Sequence, residues 1–95
     1  MRKFILLATL SAQGVQTLQV TPERLLEVNR EIEDLGGRVL DQWAVLGYYD
    51  FLNVIEAPDE ATVAHMTAEL SARGSATFET LTVVETDDLF PDASA

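Results

Sequence analysis

Four short stretches of the chain are dense in apolar and β-branched residues, a pattern typical of strands. They span Lys3–Leu10, Arg38–Val45, Asp50–Ala57 and Ala76–Glu85. The first stretch carries apolar residues on both of its faces. This predicts a strand at the centre of a sheet rather than at its edge.

Two other stretches repeat their apolar residues at intervals of three and four, which predicts amphipathic helices. The first helix is expected to begin at Thr21, whose hydroxyl can accept an early amide, and to end at Gly36-Gly37. The second is expected to begin after Asp59 and to end at Gly74. Each helix therefore connects two predicted strands.

The remaining segments are predicted to be connections. Residues 11–20 are mostly polar and are expected to contain at most one helical turn. We predict a capped final turn at residues 86–90, with Leu89 and Phe90 packed inward. We predict a flexible C-terminal tail at residues 91–95.

The element order βαββαβ contains two right-handed βαβ halves joined by a hairpin. It predicts an α+β fold, a ferredoxin-like sandwich in which two helices cover one face of a four-stranded antiparallel sheet. The other face would remain open, although it carries apolar residues such as Leu52 and Val54. We expect a second copy to cover that face, giving a homodimer or a higher homo-oligomer, with a helix of another protein or a large apolar ligand as the alternatives.

Size and charge narrow the class of protein. Ninety-five residues suit one domain, placed here at residues 1–90. A net charge of −10 disfavours binding to the phosphate backbone, so no nucleic-acid partner is expected. The acidity is interpreted as favouring solubility or as matching a cationic partner.

No segment approaches the roughly 20 apolar residues of a membrane span. The apolar N-terminal run predicts a strand better than a signal peptide, so we interpret the protein as cytoplasmic.

The candidate chemistry lies around the hairpin between the second and third strands. Gly47 supplies the backbone freedom of a tight turn, and Tyr48, Tyr49 and Asp50 follow it. We interpret Asp50 mainly as an acceptor for turn amides; alternatively, Tyr49 and Asp50 form a proton-handling pair at a pocket. Trp43 is interpreted as core or interface filler whose ring would also suit an aromatic ligand.

Three further side chains are candidates because of their positions. Glu79, in mid-strand, is a pocket candidate, whereas Glu56 is expected to be exposed or paired with a residue such as Arg38. His65 is expected on the solvated face of the second helix, with axial haem ligation as the alternative. One histidine and no cysteine exclude a conventional zinc or multi-histidine iron site. We predict no cofactor and no metal, with an all-carboxylate cation site left open.

The chain resembles the GYD-domain family, small proteins of the dimeric α/β-barrel superfamily. Gly47, Tyr49 and Asp50 match the residues that name the family, and the chain departs from the usual pattern at Tyr48, where a polar residue is common. Other matching segments are Lys3-Phe4-Ile5-Leu6-Leu7, Gly14-Val15, Pro22-Glu23-Arg24, Leu35-Gly36-Gly37, Glu56-Ala57-Pro58-Asp59 and Glu79-Thr80-Leu81. The resemblance implies the dimeric α/β-barrel fold but no catalytic residues. The superfamily that the chain resembles includes monooxygenases, haem-degrading enzymes, lactone isomerases and ligand-sensing domains, so the fold alone does not imply an activity.

Three functions follow as hypotheses. The leading one is a non-enzymatic dimer that binds a small apolar or aromatic molecule between sheet and helices, lined by Trp43, Tyr49, Asp50 and Glu79. The second is a cofactor-light enzyme of the monooxygenase or isomerase type, in which the chain supplies an acid or base and a dry cavity. The third is a purely structural assembly unit.

Overall fold

A computed structural model describes residues 1–90. The elements in chain order are β1 (Arg2–Leu10), α1 (Ala12–Val20), α2 (Arg24–Asp34), β2 (Arg38–Ala44), β3 (Phe51–Ala57), α3 (Glu60–Ser71), β4 (Ala76–Thr82) and a 3-10 turn (Thr86–Leu89). This is the predicted βαββαβ order with one additional helix. The tail predicted for residues 91–95 lies outside the described residues.

The four strands form one antiparallel sheet in the order β2-β3-β1-β4. Phe4 of β1 lies opposite Ile55 of β3 on one side and opposite Thr82 of β4 on the other. The prediction of a central first strand is therefore confirmed, and so is the ferredoxin-like α+β fold. β2 and β4 are the two edges.

The core lies between the sheet and the helices. Its buried side chains alternate along β1 and β3 and meet one face of α2 and α3. The members are Phe4, Leu6, Ile32, Ile55, Ala57, Val63, Met66 and Leu70. Burying a large apolar side chain contributes roughly 1.5–3 kcal/mol, so this layer dominates the stability and commits that face of the sheet to structure.

Residues 12–20 form a nine-residue helix where the sequence predicted at most one turn. Ser11 caps it: its hydroxyl accepts the amide of Gly14 at 3.1 Å and donates to the carbonyl of Gly74 at 2.7 Å. Gly14 is a poor helix former, which is why the pattern looked like a loop. Its place is explained by packing, since a Cβ there would lie 2.1 Å from the carbonyl oxygen of Ser75.

The predicted cap of the next helix is wrong for a related reason. Because α1 extends to Val20, Thr21 ends that helix instead of starting the next, and its amide donates to Thr17 at 2.8 Å. α2 begins at Arg24 without a side-chain cap. The cap predicted for α3 is confirmed, since Asp59 accepts the amide of Thr62 at 2.8 Å.

The prediction that Leu89 and Phe90 pack inward is also wrong. The chain leaves the sheet after Thr82, and every residue from Val83 to Phe90 is exposed. The side chains of Leu89 and Phe90 are 63% and 66% exposed.

Candidate functional site

The face of the sheet opposite the helices carries a continuous apolar surface, which we call the open face. The strand registers align its side chains in two rows across all four strands. From β2 to β4, the rows are Trp43, Leu52, Leu7, Glu79 and Asp41, Val54, Ile5, Leu81. The four residues from the central strands are half-buried, whereas Trp43 is 51% and Leu81 40% exposed. The centre of the face is therefore apolar, and both carboxylates lie on edge strands.

Tyr49 and Glu79 meet on this face. The Tyr49 hydroxyl donates a hydrogen bond to the Glu79 carboxylate. That hydrogen bond, together with slight desolvation and the nearby negative charge, raises the pKa of Tyr49 above its ordinary value. The pair therefore holds its proton near neutral pH, which makes the phenol a donor and a poor general base.

A shallow groove adjoins this pair. It measures about 360 Å³ and is lined by Tyr48, Tyr49 and Glu79 together with residues of β1 and β4. The two tyrosine rings meet edge to face, with their centroids 5.0 Å apart. Trp43 is separated from Glu79 by two strands and does not line the groove.

Asp50 is engaged by the backbone. Its Oδ2 accepts the amide of Leu10 at 2.7 Å, and its own amide donates to the carbonyl of Ala8 at 2.8 Å. The acceptor role predicted for Asp50 is observed, although the amide it binds belongs to the end of β1 and not to the turn. Gly47 has a φ of 130°, and a Cβ there would meet nothing within 4 Å. Backbone conformation alone therefore requires glycine at this position.

A second cavity, of about 80 Å³, lies between the sheet and the helices. Its walls are mostly apolar and come from Leu25, Val28, Phe51 and Phe78, among others. None of the four ligand-binding candidates from the sequence lines it. A cavity therefore exists between the sheet and the helices, where the sequence predicted a ligand site, but the residues predicted to line that site do not line it.

A chain of side-chain amides includes Gln42 and Asn53, two polar residues of the cavity wall, and sequence reasoning missed it. Gln42 donates to Asn29 at 3.0 Å and to Asn53 at 2.6 Å. Asn53, only 5% exposed, donates in turn to the carbonyl of Leu6 at 3.1 Å. The sequence carried one signal for these hydrogen bonds, because strand alternation places Asn53 on the buried face of its strand. An unpaired amide there would be costly, so Asn53 needs hydrogen-bond partners.

Two arginines line the same cavity, and Glu31 pairs with both. The Arg24 guanidinium lies 3.6 Å from the Glu31 carboxylate, and Arg73 forms a closer ion pair with it. Arg24 also pairs with Glu27 at 2.5 Å. These contacts tie α2 to the end of α3. They neutralise the two cations, so the cavity presents no free positive charge to an anion.

The remaining candidates occupy surface positions. His65 is exposed on α3 and lines neither cavity, which agrees with the solvated interpretation. Arg38 lies 3.0 Å from Glu56, so this carboxylate pairs with one of the partners that the sequence allowed for it. Within residues 1–90, no three His, Asp or Glu side chains come together as metal ligands. None of the helices in this range is long and apolar enough to cross a membrane.

Comparison with known proteins decides the family. The GYD domain family model matches residues 4–90. The chain belongs to the GYD domain family. A relative from Thermus thermophilus, named "Glutamine synthetase and cystathionine beta-lyase binding protein", is 51% identical over 90 residues. The match covers 94% of this chain and 95% of the relative.

In this GYD-domain protein the three residues of the motif contact or connect all four strands at one end of the sheet. Gly47 turns the chain between β2 and β3, and Asp50 binds the last amide of β1. Tyr49 reaches Glu79 on β4. Each of the three residues therefore has a structural role of its own, through its backbone conformation or a hydrogen bond.

Proposed function

We propose that this GYD-domain protein is a non-catalytic binding protein that pairs with itself through the open face and binds a metabolic enzyme. The open apolar face is the observation that carries the proposal. Ile5, Leu7, Leu52 and Val54 form a contiguous patch at its centre, and a soluble protein rarely leaves such a patch uncovered.

A second copy suits this patch because two-fold symmetry sets the apolar centre against itself. The carboxylates of Asp41 and Glu79 lie on the edge strands and would form a polar rim, as in ordinary protein interfaces. A domain of 95 residues also buries only about 60–65% of its unfolded surface, so dimerisation adds burial that the fold lacks.

The proposed enzyme partners follow from the relative. That protein is named for binding glutamine synthetase and cystathionine beta-lyase, and it aligns along almost the whole chain. We propose that the present chain binds one or both of the corresponding enzymes of its own organism. The state of the two motif side chains supports binding over catalysis, since Tyr49 holds its proton and Asp50 is engaged by the backbone.

Sedimentation equilibrium tests self-association. The wild type is expected at twice the 10.5 kDa chain mass at micromolar concentration. Leu52→Asp should give a folded monomer, because it places a charge at the centre of the paired faces. Ala64→Asp, on the exposed side of α3, is the matched control and should remain dimeric. A monomeric wild type would contradict the dimer.

Interferometry with each purified enzyme immobilised tests the second part. The wild type should bind at least one enzyme with a dissociation constant in the micromolar range or tighter, and serum albumin should give no signal. Failure to bind either enzyme at about 100 μM, equivalent to roughly 5.5 kcal/mol, would contradict enzyme binding.

A small apolar ligand is the second candidate function, and the cavity between the layers favours it. At about 80 Å³ it is smaller than the ~150 Å³ cavity that accommodates benzene, so it suits a molecule of only a few heavy atoms. Xenon binding followed by amide chemical shifts tests it: shifts at Val28 and Phe51 are expected, and unchanged spectra would exclude the ligand. On the other side of the sheet, Trp43, Tyr49 and Glu79 would contact whatever covers the open face.

A further inference from the structure

The segment that follows β4 leaves the body of the protein. We call residues 83–90 the C-terminal arm. All eight residues are exposed, and four of them carry large apolar side chains. These are Val83, Val84, Leu89 and Phe90. An apolar segment of this kind is expected to bury itself against another surface.

The strand register fixes the end of the sheet from which the arm departs. Because β4 is antiparallel to β1, the arm leaves at the end of the sheet where β1 begins. The hairpin before β3 lies at the opposite end, beside Ala8. The arm is therefore remote from the Tyr49–Glu79 pair.

The charge of the arm has one sign. It carries Glu85, Asp87 and Asp88, and the last cationic residue of the whole chain is Arg73. None of the ion pairs found within residues 1–90 involves the arm. An occupant of this segment must therefore satisfy three carboxylates and several apolar side chains together.

We infer that the C-terminal arm is the contact for the enzyme partner, and that the partner offers an apolar groove bordered by arginine or lysine. Leu89 and Phe90 are the anchors, and the acidic residues before them pair with the cations of the groove. A second copy of this chain fits the arm poorly, because the edge strands of its open face carry Asp41 and Glu79, which would place acid against the acids of the arm. This inference rests on the proposed enzyme binding and names the surface that performs it.

Affinity measurements on variants of the 95-residue chain test the inference, with immobilised glutamine synthetase and cystathionine beta-lyase as the probes. Leu89→Ser with Phe90→Ser removes the anchors and should weaken binding about tenfold or more. Its matched control is Val20→Ser with Leu26→Ser, which removes two other exposed apolar side chains, 77% and 58% exposed. The control should bind within about twofold of the wild type.

A charge series tests the sign of the partner. Neutralising Glu85, Asp87 and Asp88 as Gln, Asn and Asn should weaken binding about tenfold and flatten its dependence on salt. The matched control neutralises three exposed acids elsewhere and removes the same net charge. It is Glu23→Gln, Glu33→Gln, Asp34→Asn. This control should keep both the affinity and the salt dependence.

The outcomes separate the inference from the proposed function. Wild-type binding that the arm variants leave unchanged overturns the inference and leaves enzyme binding intact. A wild type that binds neither enzyme overturns both. Arm variants that sediment as monomers show that a second copy occupies the arm, and this also overturns the inference. Dimeric arm variants with weakened enzyme binding support it.

Discussion

At the residue scale, each side chain of the family motif has one local task. Gly47 adopts a φ of 130°, Asp50 accepts the amide of Leu10, and Tyr49 donates to Glu79. The task of Gly47 could be predicted from the sequence, since it depends on turn chemistry within the motif. The other two could not, because Leu10 and Glu79 come within reach of the motif only through the pairing of β1 with β3 and β4.

Replacing Gly47 tests its conformational role. Gly47→Val should lower the free energy of unfolding by about 1–3 kcal/mol, because a β-branched residue resists positive φ. The added side chain would meet no other atom within 4 Å of its Cβ, so the loss would come from the backbone conformation and not from a clash. Urea unfolding gives the measurement. Tyr48→Ala, at a neighbouring position that is 83% exposed, should change the stability little. Equal stabilities for Gly47→Val and the wild type would rule out the conformational requirement.

The Tyr49–Glu79 pair predicts a shifted titration. In a Tyr48→Phe background, the absorbance of the single remaining phenolate should rise with a midpoint above the ordinary pKa of 10.0. Glu79→Gln should return that midpoint toward 10.0, because it removes the carboxylate charge. A midpoint that Glu79→Gln leaves unchanged would show that the hydrogen bond is not formed in solution.

The same pair sets the sign of one pH dependence. The pKa of Tyr49 is higher in the folded state than in the unfolded chain, so its stabilising contribution is complete below pH 10. The contribution is lost as pH rises through the raised value. The stability difference between the wild type and Tyr49→Phe should therefore be constant at neutral pH and shrink only in strongly alkaline solution.

At the element scale, the sequence predicted every element whose apolar residues repeat with a clear period. β1 and β3 have dense apolar faces, and α2 has one apolar stripe. α1 was missed because Gly14 lowers its helix propensity, and its docking on Ser75 is a contact with a segment about sixty residues later. That tertiary contact is invisible to local patterns.

Ser11 and Thr21 provide a paired test of the revised helix boundaries. Ser11→Ala should cost about 1 kcal/mol of unfolding free energy, since it removes the cap of α1 and the hydrogen bond to Gly74. Thr21→Ala should cost less than about 0.5 kcal/mol, because Thr21 caps neither helix with its side chain. The reverse order, measured by urea unfolding, would restore the boundary predicted from the sequence.

Gly14 tests how α1 is held. Gly14→Ala raises helix propensity but sets a methyl group 2.1 Å from the carbonyl oxygen of Ser75, so it should destabilise the protein by about 1–3 kcal/mol. Gln16→Ala, on the exposed side of the same helix, should be neutral or slightly stabilising. If Gly14→Ala were also stabilising, the close packing of α1 on Ser75 would be contradicted.

At the scale of the whole molecule, two separate surfaces remain for partners. The open face is broad, apolar at its centre and suited to a second copy, whereas the C-terminal arm is narrow, acidic and suited to a cationic partner. The apolar character of the open face could be predicted from strand alternation. The arm could not, because Leu89 and Phe90 look like core residues until β4 is known to end at Thr82.

Enzyme binding and self-association are tested together by light scattering after size-exclusion chromatography of this chain mixed with glutamine synthetase or, in a parallel run, with cystathionine beta-lyase. We expect a peak that contains the enzyme and this chain, with two copies of the chain for each occupied site. Separate elution of the chain from both enzymes at micromolar concentration would contradict enzyme binding.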